Sequence, residues 1–156
     1  LAHRSGIRVV PLVGPSSLLL ALMASGMNGQ AFSFVGYVPV DAAERAQRLR
    51  ELERRSASTG ETVLLIETPY RTQALFEAML EALGEQTRIG VAARLTLEGE
   101  TTQSRTVAQW RSIRPALERT PTVFSLQAEA QAQQPTVRPR QTRGSGSRSP
   151  RQQRGR

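Results

Sequence analysis

Short apolar runs alternate along the chain with longer stretches in which apolar residues recur at helical spacing. The clearest strand is Thr62 to Glu67, where four apolar residues stand between polar ends. The amphipathic pattern from Arg71 to Leu83 predicts a helix that ends at Gly84. Further strands are predicted at Ile7 to Leu12, Phe32 to Val38, Arg88 to Arg94, Thr102 to Val107 and Thr122 to Leu126. This alternation predicts an α/β fold in which helices cover the faces of a sheet.

Three more segments have helical patterns. Pro15 to Ser25 is apolar on nearly every face and stops before Gly26, so we expect this helix to be buried between a sheet and another layer. Asp41 is the predicted N-cap of a helix that runs to about Ser56, in which arginines alternate with glutamates. That charged pattern is typical of a solvated face, and the alternative is a face that contacts RNA. A short helix is predicted around Trp110.

The net charge of +8 is concentrated near the carboxyl end. Residues 128 to 156 contain seven arginines and one acid, Glu129, so they carry +6 and residues 1 to 127 carry the remaining +2. Every basic residue is arginine, which suits bidentate phosphate contacts, although a coding bias would produce the same composition. Because residues 128 to 156 have almost no aliphatic side chains, they are predicted to form a disordered tail.

Composition also excludes several kinds of site. The chain has no cysteine and a single histidine, His3, which rules out disulfides, thiolate metal sites and multi-histidine metal sites. The longest apolar run, Leu18 to Ala24, is far shorter than the roughly 20 residues that a membrane span needs. No nucleophile elbow, P-loop or dinucleotide-binding glycine motif follows a predicted strand. We therefore expect a cytoplasmic protein that neither enters a membrane nor holds a metal.

Two strand-to-helix turns contain candidate ligand-binding groups, because open α/β sheets bind ligands at the carboxyl ends of their strands. In the turn from Gly14 to Ser17, helix-start amides and hydroxyls suit a carboxylate or hydroxyl ligand, but an ordinary capped helix has the same features. The turn from Glu67 to Arg71 combines an acid, a hydroxyl, an aromatic ring and a guanidinium. Helix capping explains part of that cluster, with Thr68 as the cap, Pro69 in the first turn and Glu67 paired to Arg71.

Four stretches resemble, in order and in spacing, the motifs of the tetrapyrrole methylase superfamily. They are Gly6-Ile-Arg-Val-Val-Pro-Leu-Val-Gly-Pro-Ser-Ser, Phe34-Val-Gly-Tyr-Val-Pro, Leu64-Leu-Ile-Glu-Thr-Pro-Tyr-Arg and Ala92-Ala-Arg-Leu-Thr-Leu. Within the superfamily, the resemblance is closest to the ribosomal RNA ribose 2′-O-methyltransferases of the small subunit and their uncharacterised sister branch. It covers residues 1 to about 127 and leaves only the tail outside.

This resemblance implies the carboxyl-terminal part of an enzyme that binds S-adenosylmethionine between two α/β domains and methylates an acceptor, with small-subunit ribosomal RNA as the expected partner. Residues 1 to 28 would be the last strand and helix of the amino-terminal domain, and residues 31 to 127 a carboxyl-terminal domain with a mixed sheet. The family's glycine-rich loop is missing and the chain opens with Leu1. We therefore expect a truncated chain that is inactive alone. A homodimer is also implied.

The resemblance assigns a cofactor-binding role to residues on three segments. Ser16 and Ser17 match a residue pair that lines the cofactor cleft in the family. Glu67 and Thr68 match a strand end that contacts the cofactor through backbone groups, and Ala93 matches a similar contact on the next strand.

The substrate side of the cleft is assigned in the same way. Tyr70 and Arg71 are expected beside the cleft, where Arg71 would hold a phosphate and Tyr70 would stack on a base. Glu67 is the local candidate for a general base, which a weak nucleophile such as a ribose hydroxyl would need.

Two departures from the RNA-modifying branch leave other functions open. That branch would have a histidine at the position of Tyr70 and a lysine near Leu97, so the pattern favours the sister branch. The alternatives are a small tetrapyrrole-like acceptor, a non-enzymatic RNA- or ribosome-binding module that uses the arginine tail, and an inactive truncated product.

Overall fold

A computed structural model describes residues 1–129 and contains one five-stranded sheet with four α-helices. The strands are β1 (Phe32–Gly36), β2 (Thr62–Glu67), β3 (Arg88–Ala93), β4 (Thr101–Thr106) and β5 (Thr122–Gln127). The helices are α1 (Ser17–Ser25), α2 (Ala42–Thr59), α3 (Thr72–Ala82) and α4 (Val107–Ile113), preceded by a 3-10 turn at Ala2–Ser5. The predicted α/β fold is confirmed, and most elements lie within three residues of their predicted bounds.

The strands are arranged in the order β1-β2-β5-β3-β4. The β1 and β2 strands are parallel, whereas β5 runs antiparallel to both of its neighbours and β4 runs antiparallel to β3. The sheet is therefore mixed, as expected. Because β5 is inserted between β2 and β3, its amino-terminal end lies at the same edge as the carboxyl ends of those two strands.

The main hydrophobic core lies between one face of the sheet and helices α2, α3 and α4. Trp110 of α4 is 1% exposed and makes an edge-to-face contact with Phe76 of α3, with ring centroids 5.3 Å apart. Its indole N–H donates to the carbonyl of Ile89 on β3 at 2.9 Å. An indole N–H that is buried without an acceptor has lost its hydrogen bond to water, which is energetically costly. The hydrogen bond to Ile89 therefore stabilises the position of α4 on the sheet.

Helix α2 has the predicted N-cap and the predicted charged, exposed face. The Asp41 carboxylate accepts hydrogen bonds from the backbone N–H groups of Ala43 and Glu44 at 2.9 and 3.0 Å. Arg50 and Arg54 are exposed on the outer side of the helix. Also on this helix, hydrogen bonds from the Gln47 side chain and then from Arg48 lower the pKa of Glu51.

Helix α1 packs on the opposite face of the sheet, where Ala21 contacts a small cluster with Ala92 and Val123. The predicted second layer is not present in the described chain, where Leu19 and Met23 are 49% and 71% exposed. A helix against one sheet face buries one stripe, and within residues 1–129 no further layer covers the other stripe.

Residues 7–12 do not form the strand that their β-branched composition predicts. The side chains of Ile7, Val9, Val10 and Leu12 are all more than half exposed. A strand needs a neighbour for its backbone hydrogen bonds, and no strand of the described chain pairs with this segment. Composition therefore indicated β character in this segment without identifying a partner strand.

The described chain ends just after β5. Ala128, the first residue of the predicted tail, is 7% exposed and donates its N–H to the Ser56 hydroxyl at 3.0 Å. The rest of the predicted disordered tail, residues 130–156, lies outside the described residues. In residues 1–129, no helix has the length and apolar character to cross a membrane, and no cluster of acidic or histidine side chains has a metal-binding arrangement.

Candidate functional site

A pocket of about 370 Å³ opens at the edge of the sheet where β2 and β3 end and β5 begins. Ser17, the first residue of α1, and Glu67, the last residue of β2, both line it. Ala92 of β3 lines the same pocket. Two of the predicted cofactor-binding residues, Ser17 and Glu67, are thus brought together from positions 50 residues apart in the chain.

Glu67 is the buried acid of this pocket, with 4% of its surface exposed. Its Oε1 atom accepts the backbone N–H of Thr68 at 2.7 Å. Its Oε2 atom lies 3.0 Å from Nη2 of Arg71, an ion pair that lacks hydrogen-bond alignment, so Oε2 has no hydrogen-bond donor among residues 1–129. A buried acceptor without a donor is energetically costly, and a ligand hydroxyl or amine that donates to Oε2 would remove that cost.

The turn after β2 is organised by backbone groups and by the Glu67–Arg71 pair. The carbonyl of Thr68 accepts the N–H groups of Arg71 and Thr72 at 2.9 and 3.1 Å. Helix α3 begins at Thr72 with Arg71 as its N-cap, so the predicted capping role of Thr68 is wrong, whereas the predicted pairing of Glu67 with Arg71 is present. Thr68 is exposed and follows the pocket wall directly.

The start of α1 faces the same pocket. Ser16 is the N-cap of this nine-residue helix, and its side chain makes no capping hydrogen bond. The first backbone N–H groups of a helix lack partners within the helix and carry partial positive charge, which favours an anionic or hydroxyl ligand. Ser17 lines the pocket and Ser16 is half-buried beside it.

Ala93 lies on the other face of the sheet from the pocket. It lines a separate hollow of about 190 Å³ whose wall includes Trp110 and Glu118. Successive side chains of a strand point to opposite faces, so Ala92 and not Ala93 presents its side chain to the pocket. A contact from Ala93 to a ligand in the pocket would therefore have to use its backbone.

Tyr70 and Arg71 lie outside the pocket lining. Tyr70 is 84% exposed, and the Arg71 side chain is 31% exposed while its Nη2 atom is held by Glu67. Both residues are thus accessible on the turn that borders the pocket.

Several pocket residues were missed by the sequence patterns. The pocket residues without a predicted site role are Tyr37, Ile66, Ala92, Arg94, Leu95, Leu97, Thr120, Pro121, Thr122 and Val123. Tyr37 follows β1 and Arg94 follows β3, so the rule that ligands bind at strand ends would have found them. Thr120 and Pro121 precede a strand, and they reach this edge only because β5 runs antiparallel to β2 and β3.

No family model matches the chain. The chain is 42% identical over 91 residues to ribosomal RNA small subunit methyltransferase I of Mesorhizobium japonicum, which covers 58% of this chain and 30% of that relative. The protein of the same name from Vibrio cholerae is 34% identical over 107 residues, or 69% of this chain and 36% of that relative. The Bacillus subtilis protein is 37% identical over 92 residues, or 59% and 30% of the two chains. This chain spans about a third of the length of the curated relatives it matches.

Two solved structures have a similar fold. The methyltransferase CobJ superposes with a TM-score of 0.50 at 17% identity, over 81% of this chain and 53% of that one. The cobalt precorrin-4 methyltransferase CbiF superposes with a TM-score of 0.50 at 18% identity, over 80% of this chain and 54% of that one. At these identities the similarity establishes the fold alone.

Proposed function

We propose that the chain is a member of the tetrapyrrole methylase superfamily and forms the carboxyl-terminal part of an S-adenosylmethionine-dependent methyltransferase acting on small-subunit ribosomal RNA. The observation that carries this proposal is the convergence of Ser17, Glu67 and Ala92 on one pocket at the edge of the sheet. The RNA substrate is taken from the names of the curated relatives.

The pocket fits the donor in both size and chemistry. A volume of about 370 Å³ lies within the usual range of small-molecule sites. The amides at the start of α1 suit the carboxylate of the methionine part, and Oε2 of Glu67 suits a hydroxyl or amine donor. Ile66, Val123 and Ala92 give the pocket an apolar wall for the flat base.

S-adenosylmethionine bound there would supply a methyl group on a positively charged sulfur. The residues of this chain would contribute by orientation and by exclusion of water, which account for much of the acceleration in a displacement of this kind. Glu67 is engaged by the Thr68 amide and the Arg71 guanidinium, so we assign it first to ligand positioning. Its role as a general base stays a prediction.

The substrate would approach from the turn that follows β2. The exposed ring of Tyr70 is available for stacking on an unpaired base. Arg71 extends next to it with part of its guanidinium in solvent, where it can contact a phosphate while it remains paired with Glu67.

Residues 1–28 would belong in part to a preceding domain. The exposed segment that includes Val9 and Val10 supports this assignment, as does the outer side of α1 with Leu19 and Met23. The inner side of α1 is fixed to the present sheet, because Arg88 donates to the carbonyl of Gly26 at 3.3 Å and Ala21 is buried on β3 and β5. In this proposal, the inner side of α1 packs on the present sheet and its outer side packs on the preceding domain.

Calorimetric titration of the 156-residue chain with S-adenosylmethionine tests the proposed function. We expect saturable binding, weakened in Glu67→Gln and unchanged in Arg50→Gln, which alters an exposed residue on α2. If the folded wild-type chain released no binding heat at any accessible concentration and left the donor fully dialysable, the proposed function would be wrong.

A further inference from the structure

Arg94 stands between the pocket and the adjoining hollow of about 190 Å³, and it lines both. It follows directly on β3, at the strand end where ligands of an α/β sheet bind. Arg94 is not the partner of the buried Glu67 carboxylate, because Glu67 is paired with Arg71.

The loop from 94 to 100 is folded around the Arg94 side chain. Arg94 and Thr96 have φ angles of 56° and 67°, in the left-handed region that side-chain-bearing residues seldom adopt. The loop is closed by hydrogen bonds from Leu97 N–H to the Arg94 carbonyl at 2.8 Å and from Thr96 N–H to the Glu100 carboxylate at 2.6 Å. Gly99, with φ 77°, lies against the guanidinium, and a Cβ there would be 2.7 Å from Nη1. The loop backbone is thus ordered around Arg94, with the guanidinium lying against Gly99.

The partner of Arg94 in the free chain is weakly held. Nη1 of Arg94 lies 3.6 Å from Oε2 of Glu118, and the two side chains are 44% and 69% exposed. Ion pairs between exposed side chains at such a distance contribute little to stability. The Glu67–Arg71 pair differs because the Glu67 side chain is fully buried.

We propose that Arg94 binds a phosphate of the substrate strand, a phosphodiester of single-stranded RNA that displaces the Glu118 carboxylate. This inference rests on the proposed function for the identity of the strand. The planar guanidinium can donate hydrogen bonds to two phosphate oxygens at once. The Glu118 carboxylate, at 3.6 Å from Nη1, makes no such paired contact. Thr101 and Gln103 line the hollow beside it and offer further hydrogen-bond donors to the bound RNA strand. A phosphate held at the pocket rim would fix the register of the strand, so that a neighbouring nucleotide reaches the pocket.

Fluorescence of Trp110 gives a direct test, because it is the only tryptophan of the chain and it lines the hollow beside Arg94. Inorganic phosphate is titrated into the 156-residue protein while the emission is followed. We expect a saturable change in the wild type, a loss of that change in Arg94→Gln and a tighter response in Glu118→Gln. Arg50→Gln is the charge-matched control on an exposed helix face, and circular dichroism verifies that each variant is folded.

A second arm uses a short oligouridylate, with affinity measured over a range of salt concentrations. Arg94→Gln should weaken binding roughly threefold or more and reduce the slope of log affinity against log salt by about 0.7, the effect of one lost single-strand phosphate contact. Arg94→Lys should recover the slope but only part of the affinity, because an ammonium lacks the planar fork.

S-adenosylmethionine binding separates this inference from the proposed function. Unchanged donor affinity in Arg94→Gln, together with weaker RNA binding, supports a phosphate site. Weaker donor binding with unchanged RNA binding would overturn it in favour of a site for the donor carboxylate, and equal RNA affinities for Arg94→Gln and Arg50→Gln would overturn it as well. If the wild-type chain binds phosphate through Arg94 but binds no donor, the proposed function fails while the phosphate site stands.

Discussion

Gly90 and Ser125 lie side by side on β3 and β5 so closely that a Cβ on residue 90 would be 2.1 Å from the Ser125 hydroxyl oxygen. The same Cβ would be 3.5 Å from the Cβ of Ser25 at the end of α1. Glycine at position 90 therefore leaves the space that the Ser125 hydroxyl occupies, on the face of the sheet that α1 covers.

Gly90→Ala should consequently destabilise the fold by about 2 kcal/mol, the usual cost of forcing a methyl group into a packed site. Urea unfolding followed by circular dichroism measures this change. The double variant Gly90→Ala/Ser125→Ala removes the hydroxyl that the methyl group would strike, so it should recover most of the loss. A single variant as stable as the wild type would show that the Ser125 hydroxyl turns away from the added methyl group at no cost.

The ion pair between Glu67 and Arg71 should be worth more than a surface pair. Arg71→Gln leaves a buried carboxylate without its cation and should cost about 2 kcal/mol, less than for a wholly buried pair because part of the Arg71 side chain reaches solvent. The Glu67→Gln/Arg71→Gln double variant removes both charges and should be more stable than Arg71→Gln alone. Additive losses in a double-mutant cycle, measured by urea unfolding, would refute this coupling.

Truncation of the chain after Glu129 should separate donor binding by the pocket from RNA binding by the arginines of the tail. Removal of residues 130–156 takes away seven arginines, so RNA affinity and its salt dependence should both fall, as expected for unspecific phosphate attraction. Donor affinity should not change, because every pocket residue precedes the cut. Calorimetry and filter binding on both forms measure the two effects, and a parallel loss of donor affinity would contradict the assignment of the pocket.

Transfer activity provides a different test of the domain proposal. The chain spans about a third of its curated relatives, and the exposed segment at residues 7–12 has no strand partner in the described chain. We expect the 156-residue protein to transfer little or no labelled methyl group to small-subunit ribosomal RNA by itself. Robust turnover by this chain alone would contradict the proposal that a preceding domain completes the site.

Local patterns predicted those parts of the fold that depend on local physics. Thr62–Glu67 is a strand with its predicted bounds because four consecutive apolar residues can be buried on both faces of a central strand. Asp41 caps α2 as predicted because capping involves only the next few residues. Ile7 to Leu12 has the same β-branched character, yet strand formation also requires a partner, and composition does not supply one.

The pocket was predicted only in part for a similar reason. Ser17 and Glu67 line the pocket, and each belongs to a turn before a helix that the sequence identifies. Thr120 reaches the pocket through the insertion of antiparallel β5 between β2 and β3, a long-range arrangement that no local pattern encodes. The position of Arg94 depends on a loop in which Arg94 and Thr96 have left-handed backbone conformations. Such conformations are not expected for arginine or threonine.

Backbone amide chemical shifts, mapped during titration of the chain with S-adenosylmethionine, test whether the pocket at the ends of β2 and β3 binds the donor. The proposed site predicts that the largest shifts occur at Ser17, Glu67, Thr68 and Ala92, with no change along the outer face of α2. Shifts that cluster away from the strand ends of β2 and β3, or an unchanged spectrum at saturating donor, would contradict it.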